Sequence, residues 1–85
     1  MEYILTFVNT NYAIKAEQCL LEEKLRVSVL PLPSQISAGC GICLRVQKDD
    51  VESALEALKN KSVSEIGLFL RKKIDGNYSY TEMKL

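Results

Sequence analysis

The residues equipped for chemistry lie in one stretch, Pro31-Leu32-Pro33-Ser34-Gln35-Ile36-Ser37-Ala38-Gly39-Cys40-Gly41-Ile42-Cys43-Leu44-Arg45. Cys40 stands between two glycines, so a reactant can approach it without a side chain in the way. Backbone amides around Ser37-Ala38-Gly39 are placed to form a small anion-binding concavity that favours thiolate over thiol. Arg45 is the nearest cation in sequence and a candidate to stabilise the same charge. An equally weighted reading makes Cys40 a small buried apolar residue and the glycines mere turn formers.

Cys40-Gly41-Ile42-Cys43 also has the spacing of a redox dithiol. In thioredoxin-like sites that spacing opens a helix, but here it runs into a strand pattern. Extended residues 40–43 would hold the two Cα atoms about 10 Å apart at ~3.3 Å per residue. A disulfide needs them within about 7 Å, so the pair closes only if the four residues turn. A redox dithiol is therefore disfavoured, though a turn at Gly41 would permit it. Metal binding has less support: two thiolates make half a zinc site, and there is no histidine or second pair to complete it. Cys19 falls on the apolar side of a helix and is expected in the core.

The composition removes several other classes. The chain has no histidine, which excludes Ser/His and Cys/His catalysis. Eleven basic residues balance eleven acidic ones, so the field that attracts nucleic acid is missing. No apolar run approaches the roughly 20 residues of a membrane span, and no signal-peptide pattern is visible. Three cysteines do not form a secreted disulfide framework, and free thiols in the cytoplasm are expected. No nucleotide fingerprint or phosphate loop is present, and no cofactor is expected. Asp49 and Asp50 are better explained as helix caps than as an acid–base pair.

The elements that must position Cys40 are legible from periodicity. Residues 3–8 read as a central strand, apolar on both faces. Asn9-Thr10-Asn11 caps an amphipathic helix of about four turns that buries Tyr12, Ala16, Cys19 and Leu20. Residues 26–30 alternate as a second strand ended by Pro31 and Pro33. A loop leads to a third strand at about 41–47, with Ile42, Leu44 and Val46 on one face and Cys43, Arg45 and Gln47 on the other. A second helix follows Asp49 or Asp50, with Val51, Ala54, Leu55 and Leu58 on its apolar side. Residues 63–74 read as a fourth strand, Asp75-Gly76 as a hairpin turn, and residues 78–84 as a returning fifth. With 85 residues there is room for one domain. The order predicts an α+β fold, a ferredoxin-like βαββαβ two-layer sandwich with an extra C-terminal strand forming a hairpin. The second face of its sheet, carrying Cys43, Arg45 and Phe69, would be left open to serve a homodimer.

At the cysteine loop the chain resembles a family of short bacterial and archaeal proteins, the selenium/sulfur (Se/S) carrier protein-like domains. The resemblance rests on Phe7-Val8-Asn9-Thr10, the helix from Ala13 to Leu21, Pro31-Leu32-Pro33, Ile36-Ser37-Ala38-Gly39-Cys40-Gly41 and Leu44-Arg45. It covers roughly residues 3–70 and leaves the C-terminal hairpin outside. It implies that Cys40 is the functional thiol, carrying sulfur or selenium as a persulfide or selenosulfide between a donating enzyme and an acceptor protein. Cys43 stands where the family pattern has a small residue, and there it is either a resolving thiol that releases sulfide from the persulfide or a neutral departure. Ser37, Gly39, Gly41 and Arg45 are the accompanying binding positions. The competing readings are a ligand- or partner-binding regulatory module without thiol chemistry, and a CxxC redox protein. The carrier reading expects Cys40 to be open to solvent.

Overall fold

The computed structural model describes residues 1–84. Its strands and helices follow the hydrophobic pattern closely. Strand β1 (Glu2–Thr6) leads into helix α1 (Thr10–Glu22), strand β2 (Val27–Pro31) and strand β3 (Ile42–Gln47). A single 3₁₀ turn at Lys48–Asp50 precedes helix α2 (Val51–Asn60), and strands β4 (Gly67–Ile74) and β5 (Asn77–Met83) complete the order. All five strands form one antiparallel sheet in the order β2-β3-β1-β4-β5. Each helix connects two strands that lie on either side of a third: α1 links β1 to β2 across β3, and α2 links β3 to β4 across β1. The architecture is α+β, and β5 adds an edge strand to the four-stranded plan.

Asn9 starts α1 as expected, its Oδ1 accepting a hydrogen bond from the Tyr12 amide at 2.8 Å. Ala13, Ala16, Cys19 and Leu20 are the buried side of α1. The two alanines let the helix lie close to the sheet, where Leu5, Phe7, Leu44, Val46 and Leu68 complete the main core with Ala54 and Leu58 of α2. Both helices end in the same way. In α1, the Leu25 amide bonds to the Leu20 carbonyl and the Lys24 amide to that of Leu21. In α2, Val63 bonds back to Leu58 and Ser62 to Lys59. These are Schellman closures, with Lys24 and Ser62 both at φ 60 where glycine is usual. Leu25 and Val63 then turn inward and join the core.

This closure corrects the start of β4. Val63 is the buried plug after α2, and the strand begins only at Gly67. The cap of α2 also differs from expectation. Asp50 holds the N-cap position but makes no side-chain capping bond, and its carboxylate faces Arg26 Nε at 3.5 Å instead. Asp75-Gly76 does form the tight turn between β4 and β5, with φ 50 and 83. Two successive positive φ angles match the twist of a two-residue hairpin.

The second sheet face is not left bare. Ile4, Ile36 and Cys43 form a separate buried cluster, with Leu30, Leu32, Phe69 and Tyr80 packed around it. The loop after β2 folds over this face because its apolar residues, Leu32 and Ile36, have nowhere else to be buried. A turn closed by the Ile36 amide on the Pro33 carbonyl at 3.0 Å shapes it, and the Leu32 amide on the Gly41 carbonyl at 3.0 Å ties its base.

Candidate functional site

Cys40 arrives at the end of that loop, one residue before β3 is joined through Gly41. Its side chain enters the helix-side core and is only 3% exposed. Its Sγ donates to the Ile42 carbonyl oxygen at 2.8 Å. The expectation of a presented thiol is therefore corrected, because the loop turns the side chain inward once Gly39 has docked. The cause is visible at Gly39: a Cβ there would sit 1.9 Å from the Val8 carbonyl oxygen. Gly39 serves close packing of the loop against Val8, just beyond β1, and its bare Cα is not an opening toward Cys40. Gly41 is different, for a Cβ added there meets nothing within 4 Å. Both glycines are exposed, and of the two Gly41 alone leaves room for a side chain.

Cys43 lies on the opposite sheet face, as the alternation predicts, and is fully buried. Its Sγ is 3.7 Å from the Pro31 carbonyl oxygen. Burial pushes its pKa up to about 11, with the nearby Cys40 adding to the rise and Arg71 opposing it. Such a thiol stays protonated at neutral pH and is a poor nucleophile. Cys40 and Cys43 are both free and belong to different apolar clusters. Joining them requires residues 40–43 to rearrange. Cys19 is in the core as expected, and burial raises its pKa too.

Arg45 does not serve the thiol. It projects on the face opposite the Cys40 cluster, where Nη2 donates to Ser28 Oγ at 3.0 Å and Nε lies 3.6 Å from Glu2 Oε2. Glu2 also receives Arg71, whose Nε is 3.0 Å from Oε1 and whose Nη2 contacts the same oxygen. Hydrogen bonding from Arg71 is the main reason the Glu2 carboxyl stays below its ordinary range. The charges of Arg71 and Arg45 act in the same direction, and burial opposes them. Arg71, only 8% exposed, lies 4.1 Å from the centre of the Tyr78 ring. This Ser28–Arg45–Glu2–Arg71–Tyr78 row was not anticipated. The signal was there in the register, since Glu2 pairs with Arg71 across β1 and β4.

The remaining expected residues, Ser37 and Gly39, line a cavity of about 280 Å³ with Thr6, Glu65, Gly67, Phe69 and Glu82. The amides expected to hold an anion thus border two carboxylates, so this hollow is electrostatically wrong for a thiolate or phosphate. A larger apolar hollow of about 670 Å³, beside Leu55, Val63 and Ile66, contains no cysteine. No cluster of three metal-ligating side chains occurs among the described residues.

The family model described as "Putative Se/S carrier protein-like" matches residues 2–69. The chain belongs to that family. The matched span contains the loop, Cys40 and both helices, and it ends within β4, so Asp75-Gly76 and β5 lie beyond it. No curated protein and no solved structure matches. Among the described residues no helix is long and apolar enough to cross a membrane.

Proposed function

We propose that this protein is a sulfur or selenium carrier in which Cys40 is the loaded thiol, held shut by its loop until a partner opens it. The observation that carries this is membership of the Se/S carrier family over a span that contains the Cys40 loop. The local structure is consistent with gating. The Cys40 backbone stands next to exposed Gly41, and a backbone bond from Leu32 to Gly41 ties the loop at its base, beyond the end of the β2–β3 pairing. In the opened form the Cys40 thiolate attacks the outer sulfur of a persulfide on a donating enzyme. The donor's S–S bond breaks, the donor thiolate leaves, and a Cys40 persulfide forms with no net oxidation. An acceptor protein's nucleophile then takes the outer sulfur, and the Cys40 thiolate is the leaving group. A selenium atom in the outer position follows the same steps.

The reading places the protein in the cytoplasm, with a donor enzyme and an acceptor as its partners and neither nucleic acid nor membrane among them. We read its layers as a ferredoxin-like sandwich extended by β5. A homodimer, if formed through the sheet, is restricted to the part that residues 32–36 leave uncovered.

The test is transfer from a cysteine desulfurase charged with cysteine, followed by intact-protein mass spectrometry. Wild type, Cys19→Ser and Cys43→Ser should each gain one sulfur, and Cys40→Ser none. A wild-type protein that gains nothing from a charged donor overturns the carrier reading. The burial of all three thiols favours a second reading, a partner-binding module without thiol chemistry. That reading expects Cys40→Ser to retain partner binding and wild type to accept no sulfur.

A further inference from the structure

We propose that β5 is an interaction edge that pairs with β5 of a second copy of this chain, joining two five-stranded sheets edge to edge. Of the two sheet edges, β5 is the unguarded one. β2 is five residues long and ends in Pro31, which has no amide, with Pro33 and the cysteine loop just beyond. β5 runs seven residues, Asn77-Tyr78-Ser79-Tyr80-Thr81-Glu82-Met83, and pairs with β4 in unbroken register. It contains no proline, bulge or lysine, the usual devices that keep edge strands apart, and its one charge is Glu82. It lies beyond the residues matched by the family model, 2–69, and the proposal does not depend on whether Cys40 carries sulfur.

The hairpin decides which backbone groups face outward. Ile74 and Asn77 flank the two-residue turn as a hydrogen-bonded pair, so bonding to β4 recurs at Ser79, Thr81 and Met83. The amides and carbonyls of Tyr78, Tyr80 and Glu82 therefore point away from β4. Antiparallel pairing about a twofold axis at Tyr80 uses all three residues of each copy. It sets Tyr80 against its own equivalent and Tyr78 against the partner's Glu82. A slip of two residues in either direction loses one of the three pairs. The side chains agree with this register. Tyr78, Tyr80 and Glu82 share a face with Phe69, Arg71 and Lys73. Within one chain, Glu82 lies opposite Phe69 and Lys73 opposite Tyr78, about 13 Å apart along the hairpin at ~3.3 Å per residue. Neither joins an ion pair among the described residues. In the pair of copies, Lys73, Tyr78 and the partner's Glu82 fall in one row. Two strand spacings of about 4.8 Å then separate the charges, a gap that these long side chains span. The Tyr78 ring between them is turned to Arg71 in the next row, its centre 4.1 Å from the guanidinium carbon. By symmetry the contact forms twice. On the other face Ser79 meets the partner's Thr81, also twice, a combination that hydrogen-bonds across strands. Tyr78 and Met83, both among the exposed large apolar side chains, come under cover.

Amide hydrogen exchange of the full chain, read by NMR at about 50 µM and about 1 mM, tests the pairing alongside sedimentation equilibrium. Three residue pairs make a small interface, so a dissociation constant near ~100 µM is expected. Exchange at Tyr78, Tyr80 and Glu82 should slow about 3-fold at the higher concentration. Ser79 and Thr81, already bonded to β4, should not change. Glu82→Lys should weaken self-association by about 10-fold and Lys73→Glu by as much, because each contact is reversed twice. The Lys73→Glu/Glu82→Lys double variant should recover it to within about 3-fold of wild type. Neither charge has a partner in its own chain, so a folding defect does not produce that pattern. Exchange at the three outward amides that is independent of concentration would overturn the proposal. So would a dimer protected on the sheet face or at β2, or a double variant no better than the single ones. Protection that appears only when a different protein is added would give the edge to that protein and overturn the second copy.

Discussion

The two glycines beside Cys40 look equivalent in sequence and differ sharply in what they touch. At Gly39 the obstacle to a methyl group is backbone, the Val8 carbonyl, which cannot swing aside. Gly39→Ala should cost about 1–3 kcal/mol in urea unfolding, as expected of overpacking. Gly41→Ala faces open space and should stay within about 0.5 kcal/mol. If loop docking is what hides Cys40, the same Gly39→Ala protein should also be alkylated faster at Cys40 than wild type, with Cys43 unchanged. The Cys43 thiol has its own pH signature. Its folded pKa is raised from an ordinary 9.0 to about 11, so above pH 9 the unfolded chain loses the proton first. Its contribution is complete below pH 9 and lost as pH rises through about 11. Unfolding free energies of wild type minus Cys43→Ser should therefore decline over that window, while a flat difference would show that the thiol titrates normally.

Among the elements, the helices and the β4–β5 turn were legible because each is dictated locally. Asn9 supplies a cap, Ala13 to Leu20 a buried stripe, and Asp75-Gly76 two residues tolerant of positive φ. The strand faces were legible for the same reason, and Cys43 is indeed opposite Leu44 and Val46. What failed depended on contacts between distant residues. Val63 is β-branched and precedes an alternating run, so it reads as strand. Its real partner is Leu58, through a helix closure whose left-handed position is filled by Ser62 without any glycine to announce it. The inward turn of Cys40 depends on Val8, and the loop's cover of Cys43 on Ile4, neither of which periodicity can reveal. The closures themselves yield a prediction. Lys24 and Ser62 adopt φ 60 at a cost that glycine avoids, so Lys24→Gly should stabilise the protein by about 0.5–1 kcal/mol. The same change one position earlier, Glu23→Gly, has no positive φ to relieve and should destabilise.

For the molecule as a whole, Glu2 is the point where the middle of the sheet is joined by charge. From β1 it reaches Arg45 on β3 and Arg71 on β4, while β1 lies between those two strands in the sheet. Arg71 is the partner that matters more, because it is 8% exposed and would otherwise hold its charge away from water with no carboxylate, beside Tyr78 and Tyr80. Glu2→Gln should therefore destabilise the fold by about 1–3 kcal/mol at neutral pH. Acid should produce the same loss. The folded Glu2 carboxyl has a depressed pKa, chiefly through its hydrogen bonds from Arg71, so its contribution is present above the ordinary value of 4.5 and disappears as pH falls through the folded value. Urea unfolding of wild type and Glu2→Gln between pH 7 and pH 2 measures this directly. The two proteins should differ at pH 7 and converge below pH 4.5 as the wild-type carboxylate is protonated. A difference that persists undiminished to pH 2 would mean that Glu2 stabilises the sheet through packing alone and that its charge is not what holds Arg71.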